Sequence, residues 1–110
     1  MRFFRSQRVS SLIHEELSKI IAREIEFPVG SLATIVDVDV DKNLERAKIG
    51  LSVIPASAAA EALRMVNDRA GELQFLLNRK LNIKPMPRLI FQLDHGNENA
   101  AAVEKTLLNE

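Results

Sequence analysis

Residues 32–54 read LATIVDVDVDKNLERAKIGLSVI, and this stretch carries the clearest structural signal in the chain. Both of its halves alternate apolar and polar residues with a period of two, which is typical of β-strands that bury one face. The halves are separated by Asp41, Lys42 and Asn43, a segment whose Asp and Asn favour a turn. The stretch therefore predicts an antiparallel hairpin. Its inward side chains are predicted to be Val36, Val38, Val40, Ala47, Ile49, Leu51 and Val53.

A helix is predicted before the hairpin. Apolar residues recur every three or four positions across residues 6–27, which indicates an amphipathic helix. Ser6 is a suitable N-cap for this helix. Pro28 and Gly30 should end it, because proline cannot continue a helix and glycine favours its termination.

A second and longer helical pattern follows the hairpin. It begins near Pro55 and Ser57 and keeps the apolar spacing of a helix as far as Leu81. Gly71 interrupts this pattern, although an interior glycine costs about 1 kcal/mol relative to alanine. We therefore predict a kink near Ala70 and Gly71, with Gly71 allowing the two half-helices to pack closely.

A third strand is predicted at the end of the patterned region. Residues 85–87, Pro-Met-Pro, form a stiff connector. Leu89, Phe91 and Leu93 then alternate toward the core. Phe75 and Phe91 both fall within core-patterned segments, so both are predicted to be buried.

The predicted element order is helix, strand, strand, kinked helix, strand. Because three strands cannot bury both faces of a sheet, we expect an α+β fold with the helices packed on one face. This is the element order of a type II KH domain. We predict that residues 1–94 form a single KH-like domain. Residues 95–110 are predicted to be a loosely ordered C-terminal tail whose spacing allows a short helix.

Composition narrows the class of protein. The chain has 110 residues, 46% of them hydrophobic, which is typical of one globular domain. Fifteen Lys and Arg balance fifteen Asp and Glu, so a uniformly basic nucleic-acid binder is excluded. The absence of cysteine excludes disulfide scaffolds and thiolate metal sites. No apolar run approaches the roughly 18 residues of a membrane span, and the basic N-terminus leads into no signal core, so we expect a cytoplasmic protein.

Two segments nevertheless concentrate positive charge. Residues 1–8 and residues 79–88 contain no acidic residue, whereas the chain beyond Asp94 is acidic. The basic residues of the two segments are Arg2, Arg5, Arg8, Arg79, Lys80, Lys84 and Arg88. Such segments can bind phosphates by local Coulomb attraction and counterion release, or can simply be solvated surface.

Catalysis and metal binding have no convincing residue pattern. Asp37, Asp39 and Asp41 resemble the start of a calcium loop, but Lys42 stands where that loop needs glycine. The two histidines lie far apart in the chain, and no phosphate-binding glycine loop is present. We therefore predict a non-enzymatic protein without a metal, cofactor or small-molecule substrate.

The residue pattern over roughly residues 5–94 resembles bacterial ribosome-binding factor A, a type II KH-like family. The positions of the glycines agree with this resemblance, since the sequence lacks the Gly-x-x-Gly loop of ordinary KH domains. The family replaces that loop by an Ala-x-Gly kink, and this chain has Arg69, Ala70 and Gly71 there. Gln74 occupies a position that is often basic in the family, so this chain departs from the family pattern there. The matching residues are Arg8, Val9, Ile13, Glu16, Thr34, Val36, Val38, Leu44, Ala47, Lys48, residues 51–53, Ala70, Gly71, Leu81 and residues 87–94.

The resemblance implies a non-catalytic factor that binds the small ribosomal subunit late in its assembly. It also implies support of rRNA precursor processing and of cold adaptation, with the protein acting as a monomer. The rRNA-binding residues implied on this chain are Arg2, Arg5, Arg8, Arg69, Gly71, Arg79, Lys80, Lys84 and Arg88. The alternative is an α+β interaction or dimerisation domain without RNA binding, in which the apolar helix stripes would form a dimer seam.

Overall fold

A computed structural model describes residues 2–94, with side chains from Arg5 onward. The predicted tail, residues 95–110, lies outside the described residues. Helix α1 is followed by a hairpin, a short 3₁₀ turn, two consecutive helices and a final strand. The elements are α1 (Arg2–Glu24), β1 (Leu32–Val40), β2 (Arg46–Ile54), the 3₁₀ turn (Ala56–Ala58), α2 (Ala59–Asp68), α3 (Ala70–Lys80) and β3 (Arg88–Leu93).

The three strands form one sheet in the order β1-β2-β3. Strands β1 and β2 are antiparallel, as the hairpin pattern predicts. Strand β3 lies parallel to β2, with Ala47 opposite Leu89 and Ile49 opposite Phe91. A parallel neighbour requires a crossover, which α2 and α3 supply. The α+β architecture and the KH-like element order predicted from the sequence are confirmed.

The core fills the space between the helices and one face of the sheet. Its completely buried side chains include Ile13 and Leu17 of α1, Ile49 of β2, and Leu73 and Leu77 of α3. Phe91 is buried as predicted. None of the helices in the described part is long and apolar enough to cross a membrane.

Strand β1 contains a β-bulge that the alternating pattern did not predict. Its register with β2 shifts between Ile35 and Asp37, so Val36 is an extra residue without a partner. An extra residue reverses which side chains face inward. As a result Ile35 is buried, whereas Val36 is 39% exposed, and the prediction of an inward Val36 is wrong. The His14 ring supports the bulge, with Nε2 lying 3.0 Å from the carbonyl oxygen of Ile35.

Helix α1 begins earlier than its apolar pattern suggests. It starts at Arg2, so Ser6 lies inside the helix and is not its N-cap. The residues before Ser6 include no glycine or proline, and nothing in them prevents the helix from extending. The helix ends at Glu24, before the proline that was expected to stop it. Arg5 therefore belongs to the helix and does not precede it.

The break in the long helical segment lies at Arg69, next to the predicted site. Arg69 has φ −110° and ψ 16°, outside the helical region, and separates α2 from α3. Gly71 is not packed against anything, because a Cβ built on it would meet no atom within 4 Å. The expectation that Gly71 allows close helix packing is therefore wrong. Gly71 leaves its backbone open to the surface of the molecule.

Candidate nucleic-acid interface

A groove runs between the α2–α3 joint and strand β3. It has a volume of about 590 Å³. Its lining residues are Arg46, Asn67, Ala70, Gly71, Gln74, Arg88, Leu89, Ile90 and Phe91. The groove thus combines guanidinium groups, amides and an apolar floor, and none of these lining residues carries a carboxylate.

Two arginines supply the positive charge of this groove. Arg46 at the start of β2 pairs in register with Arg88 at the start of β3, so their side chains leave the sheet at the same end. Both are exposed, and within residues 5–94 neither guanidinium group is paired with a carboxylate. The bond from Arg46 to the Asp41 carboxylate is made by the backbone N–H of Arg46. Two guanidinium groups side by side, without acidic partners, form a natural site for phosphate oxygens.

Gln74 holds α3 against the outer edge of β3. Its Nε2 donates to the carbonyl oxygen of Pro87 at 3.1 Å, and its Oε1 accepts the backbone N–H of Leu89 at 2.8 Å. A third bond, 3.1 Å from Nε2 to Oδ1 of Asn78, orients the amide along the helix. Gln74 therefore satisfies two edge groups of β3 and sets the spacing between the groove walls. A charged side chain could not both donate and accept in this way.

Arg69 connects the end of α1 to the α2–α3 joint. Its guanidinium donates to the backbone oxygen of Glu24, to Oε1 of Glu24 at 3.2 Å, and through Nε to Oε1 of Glu72 at 2.8 Å. The backbone oxygen belongs to the last turn of α1, where carbonyls lack helical partners. The geometry thus favours a structural role for Arg69 over the predicted contact with RNA.

The ion pairs near the α2–α3 joint shift the pKa values of Glu24 and Arg69. The pKa of Glu24 is lowered, mainly by a hydrogen bond from Arg23 and further by Arg69. The pKa of Arg69 is raised, mainly by its hydrogen bond to Glu72. Since the pKa of Glu24 is lower in the folded chain, its ion pairs stabilise the fold at neutral pH. That contribution is lost as the pH falls through the lowered pKa.

Arg69→Ala is expected to lower the melting temperature by a few degrees, because the α1 terminus and the helix joint lose their common donor. The deficit should shrink at acid pH, where Glu24 of the parent is protonated. Circular dichroism melts at neutral and acid pH measure both effects. Arg64→Ala is the control, because Arg64 makes only exposed pairs with Glu61 and Asp68. Equal melting temperatures for Arg69→Ala and the parent chain would contradict the structural role.

The other predicted basic residues do not form one continuous surface. Arg88 and Gly71 lie in the groove, whereas Arg79 and Lys80 line a second cleft. Arg5 lies near the 79–88 segment, since its Nη2 donates to the carbonyl oxygen of Lys84 at 3.1 Å. Arg8 and Lys84 are exposed, and the side chain of Arg2 lies outside the described residues.

The second cleft lies between α1 and α3 and has a volume of about 320 Å³. Its lining includes four cations and one carboxylate. The lining residues are Glu16, Lys19, Ile20, Arg23, Leu76, Arg79 and Lys80. Lys19 and Arg23 were not predicted, although their spacing of four residues places them on one face of α1. Only the packing of α3 beside that face reveals that they share a cleft with Arg79.

The prediction that Phe75 is buried is wrong, because its side chain is 58% exposed. Apolar neighbours at Leu73, Leu76 and Leu77 made the segment look like uniform core. Each residue of a helix turns by about 100°, however, so Phe75 faces away from buried Leu73 and Leu77. The guanidinium carbon of Arg79 lies 5.7 Å from the centre of the Phe75 ring, a cation–π distance.

The sheet order, the parallel β2–β3 pair and the broken α2–α3 segment define a type II KH-like domain. Within this class, the model of one family, described as Ribosome-binding factor A, matches residues 5–107. The chain belongs to the ribosome-binding factor A family.

Individual relatives agree with this assignment. A ribosome-binding factor A of Stutzerimonas stutzeri is 33% identical, covering 98% of this chain and 90% of the relative. One of Akkermansia muciniphila is 32% identical, covering 82% of this chain and 71% of the relative. The crystal structure of ribosome-binding factor A from Thermus thermophilus superposes with a TM-score of 0.70 at 18% identity, over 80% of this chain and 93% of that chain.

A homology model of Thermus thermophilus ribosome-binding factor A was fitted into a cryo-electron-microscopy map of a complex with the 30S subunit. It superposes on this chain with a TM-score of 0.68 at 21% identity, over 79% of this chain and 92% of that chain. At 18% and 21% identity, the crystal structure and the fitted homology model support the fold.

Proposed function

We propose that this protein binds the small ribosomal subunit through its rRNA and acts as a non-catalytic assembly factor. The observation that carries the proposal is the groove. There the guanidinium groups of Arg46 and Arg88 are paired with no carboxylate of residues 5–94, and Gly71 adds no side chain beside them. Family membership supplies the subunit as the target, because a Thermus thermophilus relative was fitted into a 30S complex.

The groove suits an RNA backbone because it offers charge and close approach together. The two guanidinium groups can each bind a phosphate in a bidentate manner. Gly71 presents no side chain, so a phosphate or ribose can reach the main chain of α3 near its N-terminus, where N–H groups point outward. The groove thereby replaces the missing Gly-x-x-Gly loop by a different local structure.

The proposed mechanism is stoichiometric binding by a monomer in the cytoplasm. The protein occupies folded rRNA on an immature subunit, holds a local RNA conformation and leaves when maturation is complete. Support of rRNA precursor processing and of growth in the cold follows from this role as part of the same proposal. No step requires a metal, a cofactor or a small-molecule substrate.

Co-sedimentation with separated ribosomal subunits tests the proposal. We expect the purified protein to migrate with the small subunit and not with the large one. Raising the salt concentration should weaken this binding, since phosphate contacts release counterions. Failure to bind the small subunit at low salt, or equal binding to both subunits, would overturn the proposal.

Gly71→Ala is expected to increase the stability of the fold while weakening RNA binding. The added methyl group meets no atom, and alanine is the better helix former, so the free energy of unfolding should rise by about 0.5 kcal/mol. The same methyl group enters the groove, so affinity for the small subunit should fall. Urea unfolding and salt-dependent co-sedimentation measure the two effects. A variant that is more stable and binds the subunit as the parent does would exclude close approach at Gly71.

Among the described residues, the apolar stripe of α1 is not free to form the dimer seam of the alternative. Val9, Ile13 and Leu17 of α1 are buried in the chain's own core. The exposed apolar side chains include Leu32 and Ile54, which are register partners at the end of the β1–β2 ladder. A molecular mass that rises with protein concentration, without response to RNA, would favour an interaction domain over the proposed function.

A further inference from the structure

Phe75 lies on the exposed side of α3, between the groove and the cleft that contain the two clusters of basic residues. Gln74, the residue before it, lies in the groove, and Leu76, the residue after it, lines the cleft between α1 and α3. On one flank are Arg46 and Arg88, and on the other are Lys19, Arg23, Arg79 and Lys80. An exposed aromatic ring therefore separates two clusters of cations.

The two helical neighbours of the ring differ in how much of it they cover. Gly71, one turn earlier on the same face, has no side chain to cover the ring, and a Cβ there would meet no atom within 4 Å. Arg79, one turn later, places its guanidinium 5.7 Å from the ring centre. Arg79 also lines the cleft, so one side chain connects the aromatic surface to the basic one.

The cleft keeps an excess of positive charge after its internal pairs are counted. Among the described residues, Glu16 is the only carboxylate that lines the cleft, and its Oε2 lies 3.5 Å from Nζ of Lys19. Arg23 is paired with Glu24 at 3.0 Å and remains largely exposed. No carboxylate within residues 5–94 is paired with Arg79 or Lys80.

We infer that Phe75 stacks on a nucleobase of single-stranded rRNA that crosses α3, with phosphates bound in the groove on one side and in the cleft on the other. This inference rests on the proposed function and adds a class of RNA to it. A single strand offers what this surface can bind, a free base face between two phosphates. In a duplex the base faces are stacked inside the helix and cannot reach the ring.

The chain contains no Trp or Tyr, so Phe75→Trp creates a single fluorescent reporter at the proposed contact. Titration with a short oligouridylate strand should quench its emission in a saturable manner. Leu32→Trp is the matched control, because Leu32 is 62% exposed, begins the edge strand β1 and lines neither the groove nor the cleft. The same oligouridylate paired with oligoadenylate should leave both reporters unchanged. Equal quenching of the two reporters, or quenching by the duplex alone, would overturn the inference.

Phe75→Leu measures the contribution of the ring to affinity. It keeps an apolar side chain but removes the planar surface, so affinity for oligouridylate should fall about 10-fold. The melting temperature should stay close to that of the parent chain, because Phe75 is exposed. Unchanged affinity for the oligonucleotide would contradict the stacking role.

Co-sedimentation in parallel separates this inference from the proposed function. Suppose that the parent chain binds small subunits, and that Phe75→Leu binds both small subunits and oligouridylate as tightly as the parent does. In that case only the stacking role is overturned. If the parent chain fails to bind small subunits, the proposed function fails, whatever the oligonucleotide shows.

Discussion

Arg46→Glu combined with Arg88→Glu is expected to weaken binding to the small ribosomal subunit by about 100-fold. Hydrogen bonds to charged groups contribute about 1.5 kcal/mol or more each, and about 1.4 kcal/mol corresponds to a factor of ten in affinity. Both arginines are exposed at one end of the sheet and hold no carboxylate within residues 5–94, so the fold should tolerate their replacement. Co-sedimentation across a salt series gives the affinity and its salt dependence.

A matched double variant keeps the same change in net charge outside the groove. Lys48→Glu with Arg64→Glu serves this purpose, because both residues are exposed and neither lines the groove. It should lose much less affinity than the groove variant, and it should keep a steeper salt dependence. Equal losses would show that net charge alone governs binding and that the groove is not the site.

Leu73→Ala is expected to lower the free energy of unfolding by about 3 kcal/mol, within the usual range for a buried leucine. Leu73 is completely buried where α3 packs on the sheet, so its loss leaves a cavity beneath the helix. At about 4 °C or more for each kcal/mol, the melting temperature should fall by at least about 12 °C. Urea unfolding followed by circular dichroism measures the change.

Two further variants test whether the cavity left by Leu73→Ala accounts for its loss of stability. Leu32→Ala removes the same atoms from a side chain that is 62% exposed, and its effect should stay within about 0.5 kcal/mol. Leu73→Met keeps the volume of the core, so it should cost less than about 1.5 kcal/mol. A Leu73→Ala chain as stable as the parent would show that α3 does not depend on this contact.

The core and the order of elements could be predicted because their signals are local. The inward positions of β2, Ala47, Ile49 and Leu51, follow from alternation alone and are all buried. The stripe of α1 follows in the same way from a period of three to four. Strand β1 shows the limit of this reasoning, since one extra residue at Val36 moved the alternation out of phase.

The candidate site was predicted only in part, because side chains distant in sequence compose it. Arg88 and Gly71 were predicted and share the groove, but Arg46 and Gln74 join them only through the parallel pairing of β3. Arg69 was predicted to bind RNA because the family resemblance implies that role for residues at the kink. Its bonds to Glu24 depend on where α1 ends, which the sequence pattern placed too late.

Local patterns in the sequence are sufficient to predict the α+β class, the hairpin, the kinked helical segment and most of the buried face. These follow from hydrophobic periodicity, which depends on a residue and its near neighbours. The tertiary structure alone decided that Phe75 is exposed, that Lys19 shares a cleft with Arg79, and that Gln74 holds the edge of β3. Those features depend on which sides of α3 face α1 and the strand edge. The packing of separate elements sets that orientation, and no local pattern contains it.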